Sequence, residues 1–177
     1  MIEKVVDMLK MTINDWKRRI DKQFESQLYT KVLINNVIET IEITNFEFCL
    51  IPEEIIELVP APVEEEIIER DFIIKNSIFM YEYYLSKDIN SRQAAFVNNY
   101  DDKDNHCISY FHHYIRDNKH CMNVYVRSMD YDRNFSFDCQ TFNLAYKEVY
   151  NKLKKQYEDR IMEGYIRVFA FSLHKYI

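Results

Sequence analysis

The apolar positions of this 177-residue chain change period several times, and each change predicts an element. Between residues 2 and 27 they recur at three- and four-residue steps, at Val5, Leu9, Ile13, Trp16, Ile20 and Phe24. That spacing predicts an amphipathic helix in the N-terminal region, residues 1–36, with Trp16 on its core stripe. From Val37 to Leu50 the period falls to two. Ile41 and Ile43 share one face, whereas Phe46, Phe48 and Leu50 take the alternate parity. The switch at Thr44-Asn45 predicts a strand with a bulge or bend. Residues 52–71 are acidic and broken by Pro52, Pro60 and Pro62. They read as a divergent connection in which a helix restarts near Pro62 or Val63. Ile74, Ile78, Tyr81 and Leu85 return to helical spacing over 73–87, and a short strand follows DINSR.

The stretch from Cys107 to Asp138 predicts two strands around a charged Arg116-Asp117-Asn118-Lys119 turn. Phe142, Ala145, Tyr146, Val149, Leu153 and Tyr157 then predict a long helix, with Gly164 as the turn out of it. The closing segment, YIRVFAFSLHKYI, alternates as a strand.

Length and composition place all of this in one domain, residues 1–177, with a substantial core: 47% of the residues are hydrophobic and 15% aromatic. A single glycine excludes a glycine-rich phosphate loop, and with it the P-loop and dinucleotide-binding classes. The net charge of −6 argues against direct nucleic-acid binding through the phosphate backbone, but leaves room for a local arginine cluster that takes a small anion. No apolar run reaches membrane-spanning length and no secretory signal opens the sequence, so no membrane association and a cytoplasmic location are expected. The four cysteines, 49, 107, 121 and 139, have no CxxC spacing and read as free thiols. His106-Cys107, His112-His113 and His120-Cys121 could suggest a metal cluster. Neighbours on a strand face opposite ways, however, so spacing alone does not bring them together, and no metal is expected.

The chemistry concentrates between Cys107 and Asp138. Arg127 can fork onto phosphate oxygens, Ser128 can add a hydroxyl hydrogen bond, and Asp130 can accept from a base or sugar. Cys107 supplies a nucleophile; read blandly it is a small buried hydrophobe, as Cys49, Cys121 and Cys139 are taken to be. Bland readings stand beside the others too. Arg92 can be a surface arginine at a strand start, Asp138 an exposed loop acid, and the glutamates of 52–71 a solvated face.

These residues resemble the thymidylate synthase and deoxycytidylate hydroxymethylase superfamily. Cys107 falls on the family's nucleophile without a gap. Tyr125, Arg127, Ser128 and Asp130 fall on its Tyr-x-Arg-Ser-x-Asp, and Phe137-Asp138 on its Phe-Asn. Ser91-Arg92 resembles the first part of its Asp-Ser-Arg-Arg, with Gln93 in place of the second arginine. His174-Lys175-Tyr176 resembles its His-x-Tyr. Ile108, His112 and Asn134 depart from the pattern. The strand IETIEITNFEF and Asp138 in place of Asn resemble the hydroxymethylase branch, which occurs in phages that modify their cytosines; for a phage-encoded chain the location would be the host cytoplasm.

The resemblance implies an α/β fold of the α+β type, a mixed sheet with flanking helices, and a homodimer through the sheet. It implies a phosphate site of Arg127, Ser128 and Arg92, the last acting across the dimer, and a sugar contact from His174 and Tyr176. It also implies a catalytic glutamate, best placed at Glu66, with Glu64, Glu65 and Glu69 as alternatives. Asp138 favours dCMP over dUMP, because a carboxylate accepts from the cytosine N4 amine and, when protonated, donates to N3. The implied reaction is one-carbon transfer to C5 of a pyrimidine nucleoside monophosphate, with 5,10-methylenetetrahydrofolate as donor. The interval that lines the folate site in the family is here short and without Trp, and the family's closing tail is not seen. A protein that keeps the fold to bind nucleotide or a partner, without folate chemistry, therefore stands as the alternative.

Overall fold

The computed structural model describes residues 11–26, 30–34, 38–52, 64–97 and 107–177. The described residues form an α+β fold with a mixed sheet and three flanking helices. Helix α1 (Ile13–Glu25) opens on a capping box, in which the Thr12 hydroxyl accepts from the Asp15 amide and the Asp15 carboxylate accepts from the Thr12 amide. Its stripe is Trp16, Ile20 and Phe24, all buried. Trp16 is a core residue, 1% exposed, with its indole N–H donated to the Cys49 carbonyl at 2.6 Å. Val5 and Leu9 lie outside the described residues.

Strand β1 (Thr30–Ile34) pairs antiparallel with β2 (Ile38–Leu50). No strand was expected there, since TKVLI is too short for its period to be read apart from the helical pattern before it. The parity switch in β2 is a bend and not a bulge. Asn45 takes a left-handed φ of 53°, and the register against β7 (Met162–Tyr176) continues unshifted on either side. Asparagine tolerates that conformation better than most residues.

Helix α2 (Glu64–Met80) runs directly into a wide helical turn at Tyr81–Leu85. The expected restart near Pro62 and the expected helix over 73–87 are thus one helix, and residues 64–71 are its first turns. Short β3 (Ala95–Val97) pairs with β4 (Ile108–Arg116), which forms a hairpin with β5 (Lys119–Val126). Asp117 and Asn118, at φ 50° and 61°, make the two-residue turn whose twist suits a hairpin. Two-residue β6 (Met129–Asp130) leads into α3 (Phe135–Tyr157), whose stripe from Phe142 to Leu153 is fully buried.

The sheet order is β1-β2-β7-β5-β4-β3, with β6 added alongside β7. The β5–β7 pairing is parallel and uses α3 as its crossover. One face carries Phe48, Phe111, Met122, Val124, Ile166 and Val168, buried beneath the helices. The other face carries Tyr110, Tyr114, Tyr125, Tyr165, Arg167 and Phe169, which remain half-buried, and Phe171, which is 55% exposed. Tyr125 stacks on Phe169 at 4.6 Å, and Arg167 lies over Phe169 while pairing with Glu47.

Gly164 is not the turn out of α3. That turn is made at Glu158–Arg160, with Glu158 in the left-handed region at φ 53°, and Gly164 lies inside β7.

Candidate functional site

Because β4 is antiparallel to β5 and β5 is parallel to β7, the start of β4 and the ends of β5 and β7 meet at one end of the sheet. That topology gathers Cys107, Arg127, Ser128, Asp130, His174 and Tyr176. Cys107 is half-buried, and its carbonyl accepts from the Arg127 amide at 2.7 Å. Arg127 is exposed at the strand end. The Ser128 hydroxyl and His174 Nδ1 are 3.2 Å apart. His174 pairs in register with Asp130 and stands edge-on to Tyr176, their ring centres 5.4 Å apart. Burial holds the His174 pKa down, against opposing pulls from the Asp130 and Glu42 carboxylates. The His174 register position is four residues beyond Ala170, which pairs with Val126. Arg127 lies one residue beyond Val126, so at strand rise the Cys107–Arg127 level is about 10 Å from His174 along the sheet.

Asp130 is 9% exposed, and its Oδ1 accepts from the Asp132 and Arg133 amides at 3.0 and 3.1 Å. The carboxylate therefore shapes the turn into α3, a task that the motif alone did not indicate. Asp138 sits in the first turn of α3, 7% exposed, where the helix N-terminus favours a negative charge. Tyr125 is the penultimate residue of β5, two positions before Arg127, and its half-buried ring stacks on Phe169. Arg92 is exposed and just precedes Ala94, whose carbonyl accepts from His113 toward the far end of β4 from Cys107. Within one chain, then, Arg92 does not join Arg127. The Glu65 and Glu66 side chains lie outside the described residues. Glu64 is exposed, whereas Glu69 reaches the cluster: its Oε1 accepts from the Ile108 amide at 3.4 Å.

Three further groups were not signalled by the sequence. Arg133 pairs with Asp130 at 3.8 Å and lies over the Tyr176 ring at 5.2 Å. Lys175 pairs with Asp132 at 3.5 Å. Arg70 of α2 lies over Phe137 at 5.7 Å. Surface charges in a turn or on a helix carry no periodic signal, so only the chain's path places them here.

All four cysteines are free thiols, with Cys49, Cys121 and Cys139 buried. Among the described residues, no three His, Cys, Asp or Glu side chains come together to hold a metal. His113 and His120 do converge across the hairpin, their Nδ1 and Nε2 3.1 Å apart, both fully buried. A groove along α1, lined by Met11, Asp15, Arg18, Arg19 and Lys22, shares no residue with the cluster. No helix among the described residues is long and apolar enough to cross a membrane. A scan against models of known families and a search of curated proteins found no match to this chain.

Proposed function

We propose that this chain acts on C5 of a pyrimidine nucleoside monophosphate, with dCMP preferred to dUMP, in the manner of the family it resembles. The observation that carries the reading is the convergence of Cys107, Arg127, Ser128, His174 and Tyr176 at one end of the sheet. In this reading Arg127 and Ser128 hold the phosphate, and His174 and Tyr176 hold the sugar. Asp138 faces the exocyclic amine, and Glu66 stays the catalytic glutamate that the resemblance implies. Tyr125, beside Arg127 at the end of β5, and Asp130, which also braces the turn into α3, complete the substrate-binding set that the resemblance implies.

The Cys107 thiolate adds to C6, and C5, now carbanion-like, takes a proton from solvent. Loss of the original C5 hydrogen and expulsion of the thiolate restore the ring. 5,10-Methylenetetrahydrofolate would supply a one-carbon unit to C5. The described residues do not fit it well: Phe72 of α2 packs edge-on against Phe96 of β3 at 5.3 Å, closing α2 directly onto the sheet. No step is therefore routed through folate. The same contact favours a second reading, a nucleotide-binding or interaction protein without the transfer chemistry.

Calorimetry should show dCMP binding more tightly than dUMP, with dAMP not binding. Arg127→Ala should cost about 2 kcal/mol, roughly thirtyfold in Kd. Asp138→Asn should shift preference toward dUMP. Tritium at C5 of dCMP should pass to solvent only when Cys107 is present. Binding without exchange would favour the second reading, and equal or absent binding of all three nucleotides would end both nucleotide readings.

The reading includes a homodimer through the half-buried aromatic face. Arg127 follows Tyr125 by two positions, so it lies on that side of its strand, where the partner's Arg92 could complete the phosphate site. Light scattering at micromolar concentration should give twice the chain mass, and Phe171→Asp should reduce it to one chain and weaken dCMP binding. A monomeric wild type would remove the role of Arg92.

A further inference from the structure

Two hydrogen bonds pin the peptide that follows Cys107. Arg127 donates its amide to the Cys107 carbonyl at 2.7 Å, and the Ile108 amide donates to Glu69 Oε1 at 3.4 Å. Glu69 is half-buried on α2 and Cys107 is half-buried at the start of β4. The Glu69 carboxylate therefore stands one peptide away from the thiol. A like charge at that range opposes formation of the thiolate.

We propose that Glu69 is a positioning residue that fixes the Cys107–Ile108 peptide and, by its charge, restrains ionisation of the Cys107 thiol. This rests on the reading of Cys107 as the nucleophile, and it adds a control on when that nucleophile forms. A neutralised Glu69, whether protonated or screened by a bound cationic group, releases the restraint. Other charged groups on the elements packed here include Arg70 and Asp71 of α2, Arg127 at the end of β5 and Asp138 of α3. All four are common to the wild type and the variants below.

The test is the pH dependence of Cys107 alkylation by iodoacetamide, without nucleotide, read on the Cys107 peptide by mass spectrometry. Peptide-level reading separates it from the three buried cysteines. Glu69→Gln keeps an oxygen for the Ile108 amide and removes the charge. It should alkylate roughly tenfold faster at pH 7, a shift of the profile of about one pH unit. Glu69→Asp keeps the charge on a shorter stem and should leave the profile close to that of the wild type. An unchanged profile in Glu69→Gln would overturn the proposal. So would equal shifts in both variants, which would make Glu69 a tether only. Calorimetry with dCMP on the same variants separates this result from failure of the nucleotide reading, because the thiol profile is measured with no nucleotide present.

Discussion

Replacing Gly164 by alanine should destabilise the protein by about 3 kcal/mol, the upper end of what overpacking costs. A Cβ at this position would lie 2.4 Å from the His120 carbonyl oxygen, 3.1 Å from its carbon and 2.7 Å from Cys121 Sγ. The sulfur could move aside, but the carbonyl is held. It accepts from the Tyr146 hydroxyl at 2.7 Å, and that hydroxyl in turn accepts from the Gly164 amide at 2.9 Å. The β5–β7 register shifts between His120 and Met122, and there the two strands come close. Glycine is needed for this close approach, with no positive φ involved. Thermal unfolding should show a Tm lower by roughly 6–12 °C for a domain of this size. Cys121→Ala in the Gly164→Ala background should restore only part of the loss, because the backbone clash remains. A change within about 0.5 kcal/mol would show that the strands separate freely.

The second large effect is acid sensitivity. His113 and His120 are fully buried and share one hydrogen bond, and His113 Nε2 and His120 Nδ1 have no hydrogen-bond partner among the described residues. His120 stacks on Tyr146 at 4.4 Å, with Tyr150 parallel to it at 6.3 Å, so aromatic rings rather than carboxylates surround it. Burial pushes the His113 pKa down to about 3, and the proximity of His112 adds to this. Burial also lowers His120 well below the ordinary value, with His113 adding to the effect.

The unfolded chain protonates both rings near pH 6.5, whereas the folded chain does not. Stability is therefore full above about pH 6.5 and falls as pH drops toward 3, because the unfolded state binds more protons. At pH 4.5, two pH units below the unfolded value, the His113 contribution alone is about 3 kcal/mol, and His120 adds in the same direction. That is a large share of the 5–15 kcal/mol that holds an ordinary domain. Urea titrations from pH 7 to 4 should show the midpoint falling throughout. Replacing both rings, His113→Phe with His120→Phe, removes the titration and should flatten the curve. An identical acid profile in the double variant would place the acid sensitivity elsewhere.

Much of the architecture was legible in the apolar periodicity. The stripe on α1, the stripe on α3, the hairpin about Asp117-Asn118 and the parity switch at Asn45 are local patterns. A helix or strand buries one face, so its period is written into the order of residues. The resemblance motifs likewise named Cys107, Arg127, Ser128, His174 and Tyr176, and the strand order brings these to one end of the sheet. Other features depend on contacts between distant segments, which no local period encodes. β1 forms because β2 offers it an edge. Gly164 reads as a turn until β5 is seen to press against it. Asp130 reads as a ligand group, and only the path into α3 shows that its Oδ1 also braces a turn. Alternation along one strand argued against the histidines meeting, yet the hairpin register sets His113 and His120 diagonally across from each other. Glu69 is one of several acids at helical spacing, and only the docking of α2 on the start of β4 distinguishes it. The sequence by itself determined which faces are apolar and where the chain turns. The tertiary structure decided which polar groups those faces bring together, because that depends on strand order and register over separations of tens of residues.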